Sequence, residues 1–301
     1  MSIHKQVAAL VLAGCCLLTS CSFLERKGVD TATPFLEHTV NNLLRLENAR
    51  LAKEGLAGQI LLISALCEFT PQNATLLTLA SQAYASFGLL VEEEDPGYAE
   101  EVYEVGKGYG LQALAYENHA FQEGLARGTK IAYMADRLKK DDVPAAFWYG
   151  MNTGLGLMLA LDNRVVPLES DHPEKVAQMG DLAELFKKIL ELDDSYFFYA
   201  PRLFQGAYYM LIGPLIGGGS EPASREFSIA FKKTENRFLL THVFYARYYL
   251  TNLPDKGRFQ KTLTYVLNTQ ADVMPEAALA NAIAKEKARW LLEHQDLFFN
   301  P

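Results

Sequence analysis

From Thr33 onward, apolar residues recur at three- and four-residue spacing, the period of one buried helix face. No alternating stretch bounded by turn residues predicts a strand. Proline and glycine collect between the helical runs, at Pro71, Asp95-Pro96-Gly97, 141–144, 167–173, 213–219, 254–257 and Pro275. These residues break or end helices, so each cluster predicts a connection. Starts are predicted at Thr70-Pro71, at Asp142-Val143-Pro144, and at Asp272 with Pro275 and Glu276, where a polar cap precedes a proline suited to the first turn. The pattern predicts an all-α chain of about ten or eleven helices.

A weak repeat runs through it. Leu77-x-x-Ala80 to Tyr84, Phe147-x-x-Gly150 to Gly154, Leu203-x-x-Gly206 to Tyr209 and Val243-x-x-Ala246 to Tyr249 share a large residue, a small one, then an aromatic or glycine one turn on. Large-then-small spacing lets paired helices approach closely, as in tetratricopeptide (TPR) repeats. The small residues at 80, 150, 206 and 246 are spaced unevenly, whereas a regular array repeats about every 34 residues. Two readings therefore stand on periodicity: irregular TPR-like helix pairs stacked as an α-solenoid with insertions, or an irregular helical bundle.

Residues 1–20 differ from the rest. His4 and Lys5 precede an almost wholly apolar stretch from Val7 to Leu18, the length of a signal-peptide core and too short for a permanent span. Cys15, Cys16 and Cys21 sit at its end. A small-residue tripeptide before a cysteine is what lipoprotein signal peptidase reads. Leu12-Ala13-Gly14-Cys15 matches by residue type but leaves a short apolar core. Leu18-Thr19-Ser20-Cys21 is looser but keeps a normal one, which favours Cys21 as the lipidated residue and Cys15 as the alternative. The expected organisation is a signal peptide over 1–20, a lipidated tether over 21–32 and a helical body over 33–301. Cys67 is then the one other thiol of the mature chain, so no internal disulfide forms; its apolar surroundings mark it as a buried hydrophobe.

Composition narrows the function classes. The chain has 301 residues, half of them hydrophobic, with 28 Lys plus Arg against 36 Asp plus Glu, a net charge of −8. That is an ordered globular composition without the basic face of a nucleic-acid binder. No run of eighteen apolar residues suggests a polytopic membrane protein. The six histidines are scattered, none three or four residues from another, so no helical metal pair is expected. The glycine-rich run 213–219 lacks the Lys-Ser/Thr ending of a phosphate loop and reads as a joint between helices. Glu92-Glu93-Glu94-Asp95 reads as a solvated acidic turn, without the alternating ligands of a calcium loop. No catalytic residue, metal or cofactor is called for.

Aromatic placement is the unusual feature. Tyr196, Phe197, Phe198, Tyr199, Phe204, Tyr208 and Tyr209 crowd one helix start, and Phe238, Phe244, Tyr245, Tyr248 and Tyr249 another. The second stretch is apolar on nearly every side, so it is either buried all round or faces an internal cavity. Tyrosine suits a cavity wall that has a polar partner for its hydroxyl. Arg247 within it needs a carboxylate if buried, with Asp193 or Asp194 the candidates, and otherwise lies on an exposed polar stripe. Trp148 and Asn152, one turn apart, can face one lumen.

The chain resembles the TatT family, the TPR-containing T-component lipoproteins of certain TRAP transporters. The residues carrying the resemblance include Asn73-Ala74-Thr75-Leu76-Leu77, Gln82-Ala83-Tyr84, Tyr103 with 106–111, 144–150, Leu190-Glu191-Leu192-Asp193, Phe204-Gln205-Gly206, Pro214 with Gly217-Gly218, Tyr245-Ala246-Arg247, and Pro275 with Asn281, Ala284-Lys285 and Ala288. Their order spans nearly the whole mature chain. The resemblance implies TPR-like helix pairs around a central lumen, a periplasm-facing lipoprotein, a TatP-like periplasmic solute-binding partner, self-association as a homotrimer, and a hydrophobic or organic-acid ligand. Tyr84, Trp148, Asn152, Gly206, Tyr209, Tyr245 and Arg247 are then the candidate ligand or lumen residues. The alternative is a TPR-type scaffold lipoprotein for envelope assembly with no small-molecule cargo; an envelope hydrolase needs convergent carboxylates in a cleft.

Overall fold

The structure, a computed structural model, describes residues 33–34, 36–40, 42–162, 173–214 and 217–299. The expected signal peptide and tether, with Cys15 and Cys21, lie outside the described residues. Among the described residues the regular elements are all helical, as the periodicity predicts. They are α1 (Ala49–Phe69), α2 (Ala74–Val91), α3 (Pro96–Glu117), α4 (His119–Ala126), α5 (Ile131–Met134), α6 (Val143–Leu161), α7 (Pro173–Asp193), α8 (Tyr196–Ile212), α9 (Ser220–Lys233), α10 (Leu239–Phe244), α11 (Lys256–Asn268), α12 (Ala278–Glu293) and α13 (Asp296–Phe299). A π-helical turn, Tyr245–Tyr249, continues α10.

Side-chain caps set several boundaries by satisfying the free amides of a first turn. Asn48 accepts from Leu51 N, Asp95 from Tyr98 N with Pro96 just inside α3, Asn118 from Ala120 N and Phe121 N, and Asp255 from Arg258 N. The expected start at Thr70-Pro71 is corrected. Thr70 closes α1, its amide bonding to the Leu66 carbonyl, and Asn73 caps α2 through Leu76 N at 3.0 Å. Pro71 falls in the turn between the two helices. Pro144 lies in the first turn of α6 as expected, and 213–219 joins α8 to α9.

Consecutive helices pack as pairs: α2 on α3, α6 on α7, α8 on α9, and α11 near α12. Helices α2 and α6 are buried round most of their circumference and, with α3, form the centre. Helix α2 is long and apolar enough to cross a membrane by length and composition, but here that apolarity meets protein on most sides. Close approach depends on missing side chains. A Cβ on Gly110 of α3 would lie 2.7 Å from the Tyr149 backbone of α6, and one on Gly88 of α2 would lie 2.2 Å from the Tyr103 ring. The far end of the chain then returns: α12 packs on α1 and α2, so the helices close on their own beginning.

Candidate functional site

Between α1, α2 and the returning α12 lies an open cleft of about 750 Å³. Phe87, Leu89, Leu90, Ile283 and Trp290 supply its apolar surface, and charged side chains from α1, from the turn after α2 and from α12 surround them. Leu89 and Ile283 also line a second, almost wholly apolar cavity of about 40 Å³, walled by Trp148 and Met151 of α6, Phe197 of α8 and Phe244 of α10. Leu89 and Ile283 thus form a wall common to the charged cleft and the apolar cavity.

Two backbone irregularities flank these cavities. Phe197, Phe198 and Tyr199 have φ of 43°, 60° and 63°, the left-handed region that costs an L-residue roughly 1–2 kcal/mol. Aromatic contacts hold them there. The Phe197 ring centre is 4.7 Å from that of Trp148, and Phe198 is 5.3 Å from Phe238. The second irregularity is the π turn at 245–249. Such turns are rare and recur at functional sites.

That turn carries Arg247 into a buried ion cluster at the cleft floor. Arg247 Nη1 donates to Glu92 (3.3 Å) and Glu93 (3.4 Å), and Nη2 lies 3.6 Å from Asp162. Lys287 Nζ donates to Glu92 Oε1 at 2.5 Å and to both Glu93 oxygens at 2.8 and 2.9 Å. The Tyr103 hydroxyl donates to Glu92, and the Tyr248 ring centre is 5.6 Å from the guanidinium carbon. Burial works against the charge on Glu92, but Lys287 and Arg247 outweigh it and hold the carboxyl below its usual range. Burial and the adjacent Glu92 charge push Glu93 up, against the pull of Lys287. Burial, then the Glu92 charge, raise the Tyr103 hydroxyl well above its usual range. Arg247 Nε has no hydrogen-bond partner among the described residues.

The cluster corrects two expectations. Glu92 and Glu93 are not a solvated turn. Their helix end is driven inward by α12 and the π turn, and only Glu94 and Asp95 stay outside, one pairing with Lys53 and the other capping α3. Arg247 does not pair with Asp193 or Asp194. Arg202, one helix closer, takes Asp194 together with Glu226 (2.7 Å), leaving Arg247 to reach across the molecule. The sequence reading missed Lys287. Its signal was a lysine on an apolar stripe with Ile283, Ala284 and Leu291, a position that demands a buried partner.

The other candidates separate. Trp148 lines the apolar cavity. Asn152, one turn further along α6, instead donates to the Ser81 carbonyl at 2.9 Å and stitches α6 to α2. Tyr84 stacks on Tyr109, and its hydroxyl meets Ser64 Oγ at 3.3 Å. Gly206 packs against Phe227, which lies 2.8 Å from where a Cβ would stand. Half-buried Tyr209 neighbours Tyr208, and Tyr245 stacks on Tyr249 at 4.8 Å. Cys67 is buried, and burial pushes its thiol up to about 12. Among the described residues no group of His, Cys, Asp and Glu is arranged to hold a metal.

Around this cleft, residues 47–299 carry a family signature. They match the family model described as TRAP transporter T-component (TAtT). The chain belongs to that family, and its role is that of an accessory component of a TRAP transporter, a family not known for enzymes. No curated protein matches the chain.

Proposed function

We propose that the protein is a lipid-anchored, periplasm-facing accessory that binds a small hydrophobic ligand, or an organic acid with an apolar body, in the cleft and its inner cavity. It passes the ligand to, or receives it from, a periplasmic solute-binding subunit of the transporter. The observation that carries this reading is the open cleft of about 750 Å³, whose wall residues Leu89 and Ile283 also line the small apolar cavity behind it. Water leaves the apolar walls when a ligand enters, and the polar end stays at the charged floor. The consecutive helix pairs, with buried Ala80 and Ala246 and closely packed Gly150 and Gly206, support a TPR-like superhelical arrangement around this space. Anchoring through Cys21, or Cys15, follows from the leader pattern, and a homotrimer from the family resemblance.

One observation favours the scaffold reading instead. Leu51, Gly55, Gly58, Leu62, Ala65 and Phe69 form an exposed apolar stripe along α1, a surface suited to protein contact. Native mass spectrometry of the mature protein, with capture of solute-binding proteins from the envelope, separates the two. The ligand reading expects a small molecule retained by the wild type and lost from Leu89→Trp, which enlarges a side chain on the cleft wall. A protein that carries no small molecule and takes up no added decanol is a scaffold.

A further inference from the structure

Helix α1 turns apolar residues both ways. Ala52, Leu56, Ile60, Ile63 and Cys67 are buried against the body. The opposite face of such a helix is ordinarily polar, yet residues 55–67 contain no charged side chain. On that outer face Leu61 is 73% exposed, Leu62 54% and Phe69 56%. Gly58 and Ala65 lie exposed between them, and nothing stands within 4 Å of where a Cβ on Gly58 would be. Spacing of three and four residues brings these positions to one side of the helix, and exposed Glu68 is the charge at its border. Large exposed apolar residues outside α1 are spread over α3, α5, α8, α11 and α13. The outer face of α1 is a contiguous patch, which marks a contact surface.

Apolarity alone fits a protein or a membrane, and the path of the chain decides between them. Thr33 is buried, and its Oγ1 accepts a hydrogen bond from Asn73 Nδ2 at 3.1 Å. Asn73 caps α2 in the turn that follows Phe69. The chain therefore enters the body at the end of α1 that carries the patch. Residues 22–32 separate Thr33 from Cys21, and a segment of that length reaches about 40 Å at most. A lipid on Cys21 keeps the patch within that distance of a bilayer, and so short a tether raises the effective concentration of bilayer at the patch. Uncharged residues 55–67 also ask for no countercharge from what they meet.

We infer that the second half of α1 is a membrane-contact face, with Leu61, Leu62 and Phe69 seated in the headgroup region of the bilayer that holds the lipid anchor. This rests on the anchoring at Cys21 proposed above. The helix lies in the interface plane as an amphipathic helix does, with the protein body covering its other side. Removal of the three side chains from water favours the contact. A lipid alone leaves the body free to turn about its point of attachment, and a second contact along α1 removes that freedom. The first half of the same helix lines the cleft with Arg50, Lys53, Glu54 and Ala57. Seating the second half on lipid therefore fixes the direction in which the cleft opens relative to the membrane.

The test uses the full chain, expressed with its leader, purified in detergent and reconstituted into phosphatidylcholine vesicles. Leu62→Cys, Phe69→Cys and, as a control on exposed α5, Tyr133→Cys each receive a polarity-sensitive fluorophore. Buried Cys67 escapes labelling, and the wild type carried through the same reaction gives the background. On reconstitution the two α1 probes should shift to the blue. Nitroxide-labelled lipid should quench them several-fold more than it quenches the Tyr133 probe. If the protein floats with the vesicles but all three probes are quenched alike, the inference is overturned and the anchor stands. A blue shift without lipid quenching that grows with protein concentration gives the face to a second copy, and one that requires an added solute-binding protein gives it to that partner. Either result overturns the inference. A chain that carries no lipid by intact mass and does not float ends the anchor reading, and the inference with it.

Discussion

The two aromatic-rich stretches, 196–209 and 238–249, read alike in sequence and do different work in the fold. The first begins with a left-handed turn that swings Phe197 into the wall of the apolar cavity. The second places Phe238 and Phe244 on that same wall, but then widens into a π turn that packs Tyr245 against Phe227 and sends Arg247 into the ion cluster. Aromatic density therefore marks the neighbourhood of the interior space without saying which rings face it. The backbone irregularity decides that, in opposite senses on the two sides.

The strongest way to break this comparison is to remove Arg247. Arg247→Met leaves Glu92 and Glu93 with Lys287 as the one remaining cation among the described residues, and losing one partner of a buried pair costs about 3–5 kcal/mol. Urea unfolding should show a loss of that size. A loss below about 1 kcal/mol would mean that water already screens the cluster.

The second stretch also carries His242, buried against Phe231 and Tyr265, with Nε2 3.2 Å from the Asn236 carbonyl. Burial lowers its pKa to about 4, below the value of about 6.5 in an unfolded chain. The unfolded state therefore binds the proton first as pH falls. The stability contributed by neutral His242 is intact above about 6.5, declines through the window down to about 4 and then levels off, a loss of roughly 3 kcal/mol. Stability of the wild type measured across that window should fall by about this much more than that of His242→Gln. Parallel curves would place the imidazole in water.

The smallest effect sharpens the first stretch. Tyr199 and Tyr208 are both half-buried in α8, but only Tyr199 has a positive φ. Glycine at Tyr199 loses a ring and relieves the backbone, whereas glycine at Tyr208 loses a ring and weakens a right-handed helix. Tyr199→Gly should be milder by roughly 1–2 kcal/mol in thermal or urea unfolding. Equal losses would show that the turn is right-handed in solution.

The helical class was legible because each exposed helix alternates faces at the helical period, and Asp142-Val143-Pro144 announces the start of α6. The candidate site was legible only in fragments. Trp148 lines the apolar cavity and Arg247 is buried, but the partners of Arg247 lie 154 and 155 residues away, beyond any local pattern. Glu92-Glu93-Glu94-Asp95 looks like surface because runs of charge nearly always are; what buries half of it is a helix nearly two hundred residues later. The left-handed turn was hidden for a different reason. Tyr-Phe-Phe-Tyr contains no glycine or asparagine, and local preference opposes the conformation that tertiary contacts enforce.

The distance between Glu92 and Lys287 has a consequence for how the chain is made. They are 195 residues apart, and Glu92 and Glu93 are synthesised long before either cation that neutralises them. An open helical array can add one repeat after another, each stable on its neighbour. Here the N-terminal helices hold two carboxylates that cannot be buried until the last long helix arrives. The body is completed by its end, as a ring is by its final segment, and a chain stopped short of α12 has no closed form to adopt.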